Sequence, residues 1–291
     1  MASQADIEEH YDVDNDFFAL FLDKQYRVYT CAVWDKAQNL EQAQVDKFNR
    51  LCSYANIKPG YKVVDVGCGW GGIMNYISDH YLNTQIQGLT ISTKQFNFVN
   101  SIKKSNVSVD LHPWQNYAPQ DKKKFDAIIS VCAFEHFATF EEYASGHQRD
   151  IYRNFFDWCL GVSTQAAQIA LQCIVITRPP NNLIELNDSR YLQKVFPGSA
   201  LPTISDIQAA IVDKYEISAA NRIGLHYVRT LTEWKSRLEI NREVCIERYG
   251  QVLYDFYIGY FDAASRCFES GYWDLYQVSL KRATSVSVLS A

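Results

Sequence analysis

The sequence lacks any excess of positive charge. Its 28 lysine and arginine residues are outnumbered by 33 aspartate and glutamate residues, which leaves a formal net charge of −5. Proteins that bind nucleic acids normally present a basic surface to the phosphates. We therefore predict no nucleic-acid partner, and we interpret the lysine run at 122–124 as a solvated loop.

Paired cysteines and long apolar runs are also missing. None of the eight cysteines forms a C-x-x-C pair, so their spacing predicts neither a zinc site nor a secreted disulfide framework. No apolar run is long enough to cross a bilayer, and the first residues, MASQAD, form no apolar signal stretch. We predict a cytoplasmic protein with no metal site and no stable membrane insertion.

What the sequence does contain is a glycine cluster after a short β-branched run, KVVDVGCGWGG at 62–72. Glycines permit a tight turn and let a ligand approach the backbone where a helix begins. The spacing Gly67-x-Gly69-x-x-Gly72 also fits the dinucleotide fingerprint, which places an acidic residue about 20 positions further on. The second predicted strand, 85–90, ends without a carboxylate. A nucleotide site and a purely structural turn both remain open on this motif alone.

Strand and helix signals alternate from position 62 onward. We predict strands near 62–66, 85–89, 107–111, 125–131 and 168–176, and helices near 72–80, 92–103 and 140–160. This alternation is typical of right-handed βαβ crossovers and a doubly wound α/β sheet. Ligands collect at the carboxyl ends of such strands. A later strand near 215–219, leading to His226 and Tyr227, precedes helices at 231–247 and 250–268 and a closing strand at 272–281.

No linker or internal repeat divides the chain. We predict one domain made of an N-terminal helical lid (1–55), a cofactor-binding core (56–176), a cap over the strand ends (177–214), and the remaining strands and cap helices (215–291). Aromatic residues make up 14% of the sequence. They indicate either a well-filled core or a pocket for an apolar or cationic ligand.

Seven motifs then occur along the chain in a fixed order: HYDVDNDFF, YTCAVW, KVVDVGCGWGG, GLTIS, CAFEHF, FPGSALP and HYVRTL. In this order they resemble the cyclopropane-fatty-acid and mycolic-acid cyclopropane synthase family of S-adenosylmethionine-dependent methyltransferases. The resemblance runs from about His10 to Lys281. It implies a Rossmann-like, seven-stranded class I methyltransferase sheet whose last strand is usually antiparallel. It also implies S-adenosylmethionine as cofactor, S-adenosylhomocysteine as its product, and helices that enclose a lipophilic acceptor.

The resemblance assigns part of the sequence to the cofactor. The family uses threonine and glutamine after the second strand where other methyltransferases carry an acidic residue, which accounts for the missing carboxylate. By the resemblance, Trp114 and Gln115 lie beside the adenine. The full set of matching cofactor positions is Tyr29, Thr30, Asp65, Gly67, Gly69, Thr90, Ile91, Gln95, Trp114, Gln115 and Cys132.

The resemblance also implies a bicarbonate ion that acts as a base in cyclopropane synthases. The matching positions are Cys31, Cys132, Glu135, Gln172, Ile174 and Tyr227. Two of them depart from the family, because Cys132 stands where glycine is usual and Gln172 stands where histidine is usual. A glutamine amide can donate a hydrogen bond to an anion but cannot titrate. These departures favour simple methylation over cyclopropanation.

Four side chains are candidate catalytic residues: Glu135, His136, Tyr227 and Cys31. A carboxylate within an apolar motif is costly unless it has a task, which favours a site role for Glu135. His136 titrates near neutral pH and could accept a proton, although a packed histidine is an equal alternative. Tyr227 could line the pocket or the core. Cys31 could equally be a small buried hydrophobe.

Our leading hypothesis is an enzyme that transfers the methyl group of S-adenosylmethionine to carbon or nitrogen of a small, largely apolar acceptor in specialised metabolism. The alternative is a cyclopropane synthase that adds a methylene across the double bond of an unsaturated, lipid-like acyl chain. A non-catalytic S-adenosylmethionine-binding protein is a third possibility, which the retained Glu135 and Tyr227 disfavour. The sequence leaves the oligomeric state open.

Overall fold

A computed structural model describes residues 15–284. Positions 10–14 of the first motif therefore lie outside the described residues. The strands are β1 (Lys62–Val66), β2 (Gln85–Thr90), β3 (Val107–Leu111), β4 (Phe125–Val131), β5 (Ser163–Ile176), β6 (Tyr215–Arg222) and β7 (Trp273–Arg282). The helices are α1 (Asn15–Phe18), α2 (Leu40–Tyr54), α3 (Gly72–His80), α4 (Thr93–Ser101), α5 (Phe140–Ala144), α6 (Gln148–Val162), α7 (Leu183–Val195), α8 (Ile204–Ile211), α9 (Gly224–Ile240), α10 (Arg242–Tyr249) and α11 (Gln251–Glu269).

The seven strands form one sheet in the order β3-β2-β1-β4-β5-β7-β6. Strands β1 to β5 pair in parallel, whereas β7 is antiparallel to both β5 and β6. Strand order reverses between β1 and β4, so the loops that leave their carboxyl ends diverge and open a crevice. The doubly wound α/β sheet and its antiparallel last strand confirm the predicted fold class.

The glycine loop after β1 receives the N-terminal segment. Phe18 is buried and its ring centroid lies 4.8 Å from that of Trp70, within the glycine motif. Trp70 Nε1 also donates a hydrogen bond of 2.8 Å to Asn15 Oδ1. Phe17 and Phe21 pack against Tyr257 of α11 with centroid distances of 4.6 and 5.9 Å. These contacts hold the N-terminal segment over the carboxyl end of β1.

Several predicted boundaries were wrong. The single helix predicted at 140–160 is two helices, because Thr139 and Glu142 form a capping box that starts α5, and Gly146, at φ +79°, separates α5 from α6. Strand β5 begins at 163, five residues before the predicted start. Capping chemistry and the left-handed glycine, rather than hydrophobic periodicity, decide where the chain breaks here.

Tyr227 does not leave a late strand as predicted. Strand β6 ends at Arg222, and α9 begins at Gly224, so His226 and Tyr227 lie in the first turn of that helix. The predicted helix at 231–247 is accordingly two helices, α9 and α10, which meet at Asn241. The helix start brings Tyr227 into the cap, where it stacks on Phe268 of α11.

No helix within residues 15–284 combines the length and apolar character needed to cross a membrane.

Candidate functional site

The glycine loop after β1 is shaped for close approach of other groups. Gly67 has φ +77°, and a Cβ built on it would lie 2.3 Å from the Cβ of Ala133, in the loop after β4. Gly69 has φ +54°, yet a Cβ there would meet no protein atom within 4 Å. Gly67 therefore lets two loops come together, whereas Gly69 keeps space open beside the backbone for a ligand.

A cavity of about 300 Å³ opens at the carboxyl ends of β1, β4 and β5, under the helical cap. It brings together ten of the predicted site residues: Tyr29, Thr30, Asp65, Gly67, Gln95, Cys132, Glu135, His136, Ile174 and Tyr227. The cap side of this chamber is largely aromatic. Phe140 and Tyr143 of α5 also line it and are 60% and 40% exposed, which places them towards its mouth.

A second cavity of about 90 Å³ adjoins the first. Its predicted site residues are Gly67, Gly69, Thr90, Ile91, Gln95, Trp114, Cys132 and His136. Because Gly67, Gln95, Cys132 and His136 line both chambers, the two are contiguous. The smaller chamber suits a flat, polar-edged group, and the larger one suits an extended chain and an apolar molecule.

Thr90 and Gln95 form one polar unit at the end of β2. Thr90 Oγ1 donates a hydrogen bond of 2.8 Å to Gln95 Oε1 and accepts one of 3.1 Å from the Ser92 backbone N–H. Ser92 is the N-cap of α4 and accepts from the Gln95 backbone N–H at 3.3 Å. The cap chemistry thus fixes both side chains at the position where a dinucleotide site would carry a carboxylate.

Asp65 is a buried carboxylate without a protein partner for one of its oxygens. It is 2% exposed, and its Oδ1 accepts no hydrogen bond from the described residues. Burial raises the pKa of Asp65 to about 7, while nearby Lys47 opposes this rise. A buried acceptor without a donor is costly, so this oxygen, in the wall of the larger chamber, suits a ligand that brings a positively charged donor.

Glu135 lies in a 3-10 turn that follows β4 and is almost completely buried. Its Oε1 accepts a hydrogen bond of 3.3 Å from the Ile174 backbone N–H, and its Oε2 has no hydrogen-bond partner within residues 15–284. Burial raises the pKa of Glu135 to about 7, and the Cys173 and Cys132 side chains act in the opposite direction. The carboxyl group can therefore exist in either protonation state near neutral pH.

Gln172 lies behind the cavity wall and contacts Cys132, which lines both chambers. Its Nε2 donates to Cys132 Sγ at 3.3 Å, and its Oε1 accepts from Gln277 Nε2 at 2.8 Å. Gln277 Oε1 in turn accepts from Arg50 Nη1 at 3.3 Å. Cys132 has φ +52°, a left-handed conformation that glycine adopts more readily. A fixed amide and a thiol thus stand where the resemblance expects histidine and glycine.

The remaining candidate catalytic side chains differ in their surroundings. His136 Nδ1 shares a hydrogen bond of 2.7 Å with Ser199 Oγ, and burial lowers the pKa of His136 to about 4, so it is neutral near pH 7. Tyr227 is 5% exposed, and burial raises its pKa well above the ordinary value. Cys31 lines neither chamber, and burial raises the pKa of its thiol to about 12.

Two further predicted residues lie outside the cavity walls: Gln172, described above, and Gln115, which is exposed in the 3-10 turn that contains Trp114. The sequence interpretation also missed wall residues from the cap helices and from the start of β7, namely Ser189, Leu192, Gln193, Phe196, Tyr260, Tyr272 and Trp273. Phe196 belongs to the FPGSALP motif, which could have indicated it. Nothing local distinguishes Tyr260 from the other buried aromatic residues of α11.

Comparison with known proteins settles the family. Residues 1–278 match the model for mycolic acid cyclopropane synthetase. This chain belongs to the mycolic acid cyclopropane synthetase family. Cyclopropane mycolic acid synthase 3 of Mycobacterium tuberculosis is 30% identical, over 95% of this chain and 96% of its own length.

Solved structures agree with membership of the mycolic acid cyclopropane synthetase family. The cyclopropane synthase MmaA2 from Mycobacterium tuberculosis superposes with a TM-score of 0.86 at 26% identity, covering 96% of this chain and 98% of that one. Mycolic acid cyclopropane synthase CmaA1, solved with S-adenosylhomocysteine and CTAB, gives a TM-score of 0.84 at 27% identity, with the same coverage. The sequence-based resemblance, predicted from about His10 to Lys281, is confirmed over nearly the whole chain.

Proposed function

We propose that this enzyme, an S-adenosylmethionine-dependent transferase, moves the methyl group to a nucleophilic carbon or nitrogen of a small, largely apolar or lipid-like acceptor. The observation that carries this choice is the Cys132–Gln172 hydrogen bond, fixed from behind by Gln277. The resemblance associates a glycine and a histidine at these two positions with bicarbonate. Here the two positions carry neutral side chains that are hydrogen-bonded to each other. We expect a cytoplasmic enzyme, as the sequence predicts.

The cavities fit this cofactor. Thr90, Gln95 and Trp114 line the chamber suited to the adenosine, and Oδ1 of Asp65, which accepts no hydrogen bond within residues 15–284, suits the amine of the methionine end. S-adenosylmethionine supplies a methyl group made electrophilic by its positively charged sulfur. The chain itself has to align the acceptor and exclude water, which the enclosed aromatic walls support.

We assign to Glu135 and His136 the stabilisation of the charge that the acceptor gains and the removal of its proton. When the acceptor forms its new bond to the methyl carbon, the bond from that carbon to sulfur breaks and positive charge moves to the acceptor. An ionised Glu135 stabilises that charge, and its pKa near 7 suits it to accept the proton, whereas the lowered pKa of His136 keeps that side chain neutral and makes it the weaker proton acceptor. We assign Tyr227 to the pocket wall and Cys31 to its support.

Cyclopropanation is the second candidate, because named relatives are cyclopropane synthases and because Glu135, Tyr227, Ile174 and Cys31 keep the family's residue types. In that reaction, a proton leaves the newly transferred methyl group and the ring closes. The same enzyme and cofactor can therefore yield either product, and the fate of the methyl hydrogens distinguishes them.

The test is product mass spectrometry with S-adenosylmethionine that carries a trideuterated methyl group. The acceptors are unsaturated lipids and a panel of aromatic, terpenoid and amine metabolites. Retention of all three deuterons is the expected result. Loss of one deuteron would mean that the new methyl group is deprotonated, and it would replace our proposal by cyclopropanation. Cofactor binding without any product across the panel would favour a non-catalytic role.

A further inference from the structure

Lys47 of α2 is a completely buried ammonium group beside the larger chamber. Its Nζ donates a hydrogen bond of 2.7 Å to Thr30 Oγ1 and lies 4.9 Å from the centroid of the Phe48 ring. Within residues 15–284 it forms no ion pair with a carboxylate. Sequence analysis did not single out this lysine, because one lysine in an amphipathic helix resembles an ordinary solvated residue.

A buried ammonium without an anionic partner is expensive for the folded state. Burial lowers the pKa of Lys47 to about 8, while Cys132, Cys31, Asp23 and Asp65 act in the opposite direction. Asp65 compensates the charge only when ionised, and burial also raises its own pKa. Within residues 15–284 these carboxylates act on Lys47 only through space, because none of them is hydrogen-bonded or ion-paired to its Nζ, and a bound anion beside Thr30 would supply a closer negative charge.

Thr30 connects Lys47 to the chamber. A hydroxyl group has one proton to donate and two lone pairs that accept. Because Thr30 Oγ1 accepts from Lys47, its own proton remains available, and Thr30 lines the chamber wall. The backbone at and before Thr30 is held, since Gln44 Nε2 donates to the Thr30 carbonyl at 3.0 Å and to the Val28 carbonyl at 3.5 Å.

We propose that Lys47 is a positioning residue for the cofactor: it orients the Thr30 hydroxyl as a donor to the methionine carboxylate and supplies the positive charge that this carboxylate meets. The Asp65 carboxylate, which carries the opposite charge, accepts a hydrogen bond from the amine of the same cofactor. The amino-acid end of the cofactor then neutralises both buried charges at once. This inference does not depend on which acceptor the enzyme methylates.

Calorimetric binding of S-adenosylhomocysteine, without any acceptor, tests the inference. The comparison ligand is its decarboxylated analogue, which keeps the adenosine, the sulfur and the amine. We expect Lys47→Met to weaken S-adenosylhomocysteine by roughly tenfold or more and the analogue by less than about twofold, because a charge-assisted hydrogen bond is lost only with the carboxylate. The control Lys36→Met, which changes an exposed lysine just before α2, should leave both affinities unchanged.

A second pair of variants keeps the test decisive if Lys47→Met does not fold. Thr30→Val should show the same selective loss for the carboxylate-bearing ligand, and Thr30→Ser should retain the affinity of the original protein. Equal weakening of both ligands in these variants would show that Lys47 and Thr30 only support the fold. Unchanged binding of S-adenosylhomocysteine would likewise overturn the inference.

Discussion

Replacing Glu135 by glutamine separates its chemical role from its structural one. Glutamine is close to isosteric and keeps an oxygen that can accept from the Ile174 backbone N–H, now at 3.3 Å from Glu135 Oε1. It cannot ionise. We expect cofactor affinity to stay within about twofold and turnover to fall by roughly 100-fold, the lower end of what a general acid or base contributes.

The same substitution should stabilise the protein in the absence of ligands. Burial moves the pKa of Glu135 from 4.5 to about 7. The folded state therefore holds this proton more tightly than the unfolded state, so stability declines as pH rises through that window and the loss is complete above about pH 7. The whole pKa shift of Glu135 corresponds to a loss of about 3 kcal/mol in the free energy of unfolding. Glu135→Gln should gain up to that amount at pH 8 and less than about 1 kcal/mol at pH 5.

Urea unfolding at the two pH values measures the gain, and single-turnover methyl transfer measures the loss. Glu247→Gln, which alters an exposed carboxylate on α10, is the matched control and should change neither quantity. Wild-type turnover should rise with pH between about 6 and 8 as Glu135 ionises. A variant with unchanged turnover and no gain in stability at pH 8 would refute both the catalytic role and the burial argument.

Three further outcomes follow from the packing. Gly67→Ala should weaken S-adenosylhomocysteine binding at least tenfold in calorimetry, because its Cβ would meet that of Ala133 at 2.3 Å; full affinity would contradict the loop geometry. Gln277→Leu should lower the free energy of unfolding by about 1–3 kcal/mol, since Gln172 loses its donor; an unchanged urea midpoint would argue against that bond. Phe18→Ala should cost about 3–5 kcal/mol in the same assay, and a loss below 1 kcal/mol would show that its ring is not a core contact.

Local sequence determined much of the fold and the glycine loop at the carboxyl end of β1. The β-branched run before Gly67 and the alternation of strand and helix signals that follows predicted β1 to β4 with small errors, because central parallel strands are buried on both faces and appear in sequence as short apolar runs. The glycines required by a tight turn identified the loop. The order of seven motifs identified the family, since functional groups on successive strand ends recur at similar intervals.

Tertiary structure decided which buried polar groups meet. Gln172 and Gln277 are 105 residues apart and come together only through the antiparallel register of β5 and β7. Lys47 looks like a surface residue until α2 packs it beside Thr30, and Tyr227 faces the cap only because α9 begins at Gly224. Sequence spacing carries the periodicity within one element, whereas the register and packing between elements set the distances on which burial, charge and pKa depend.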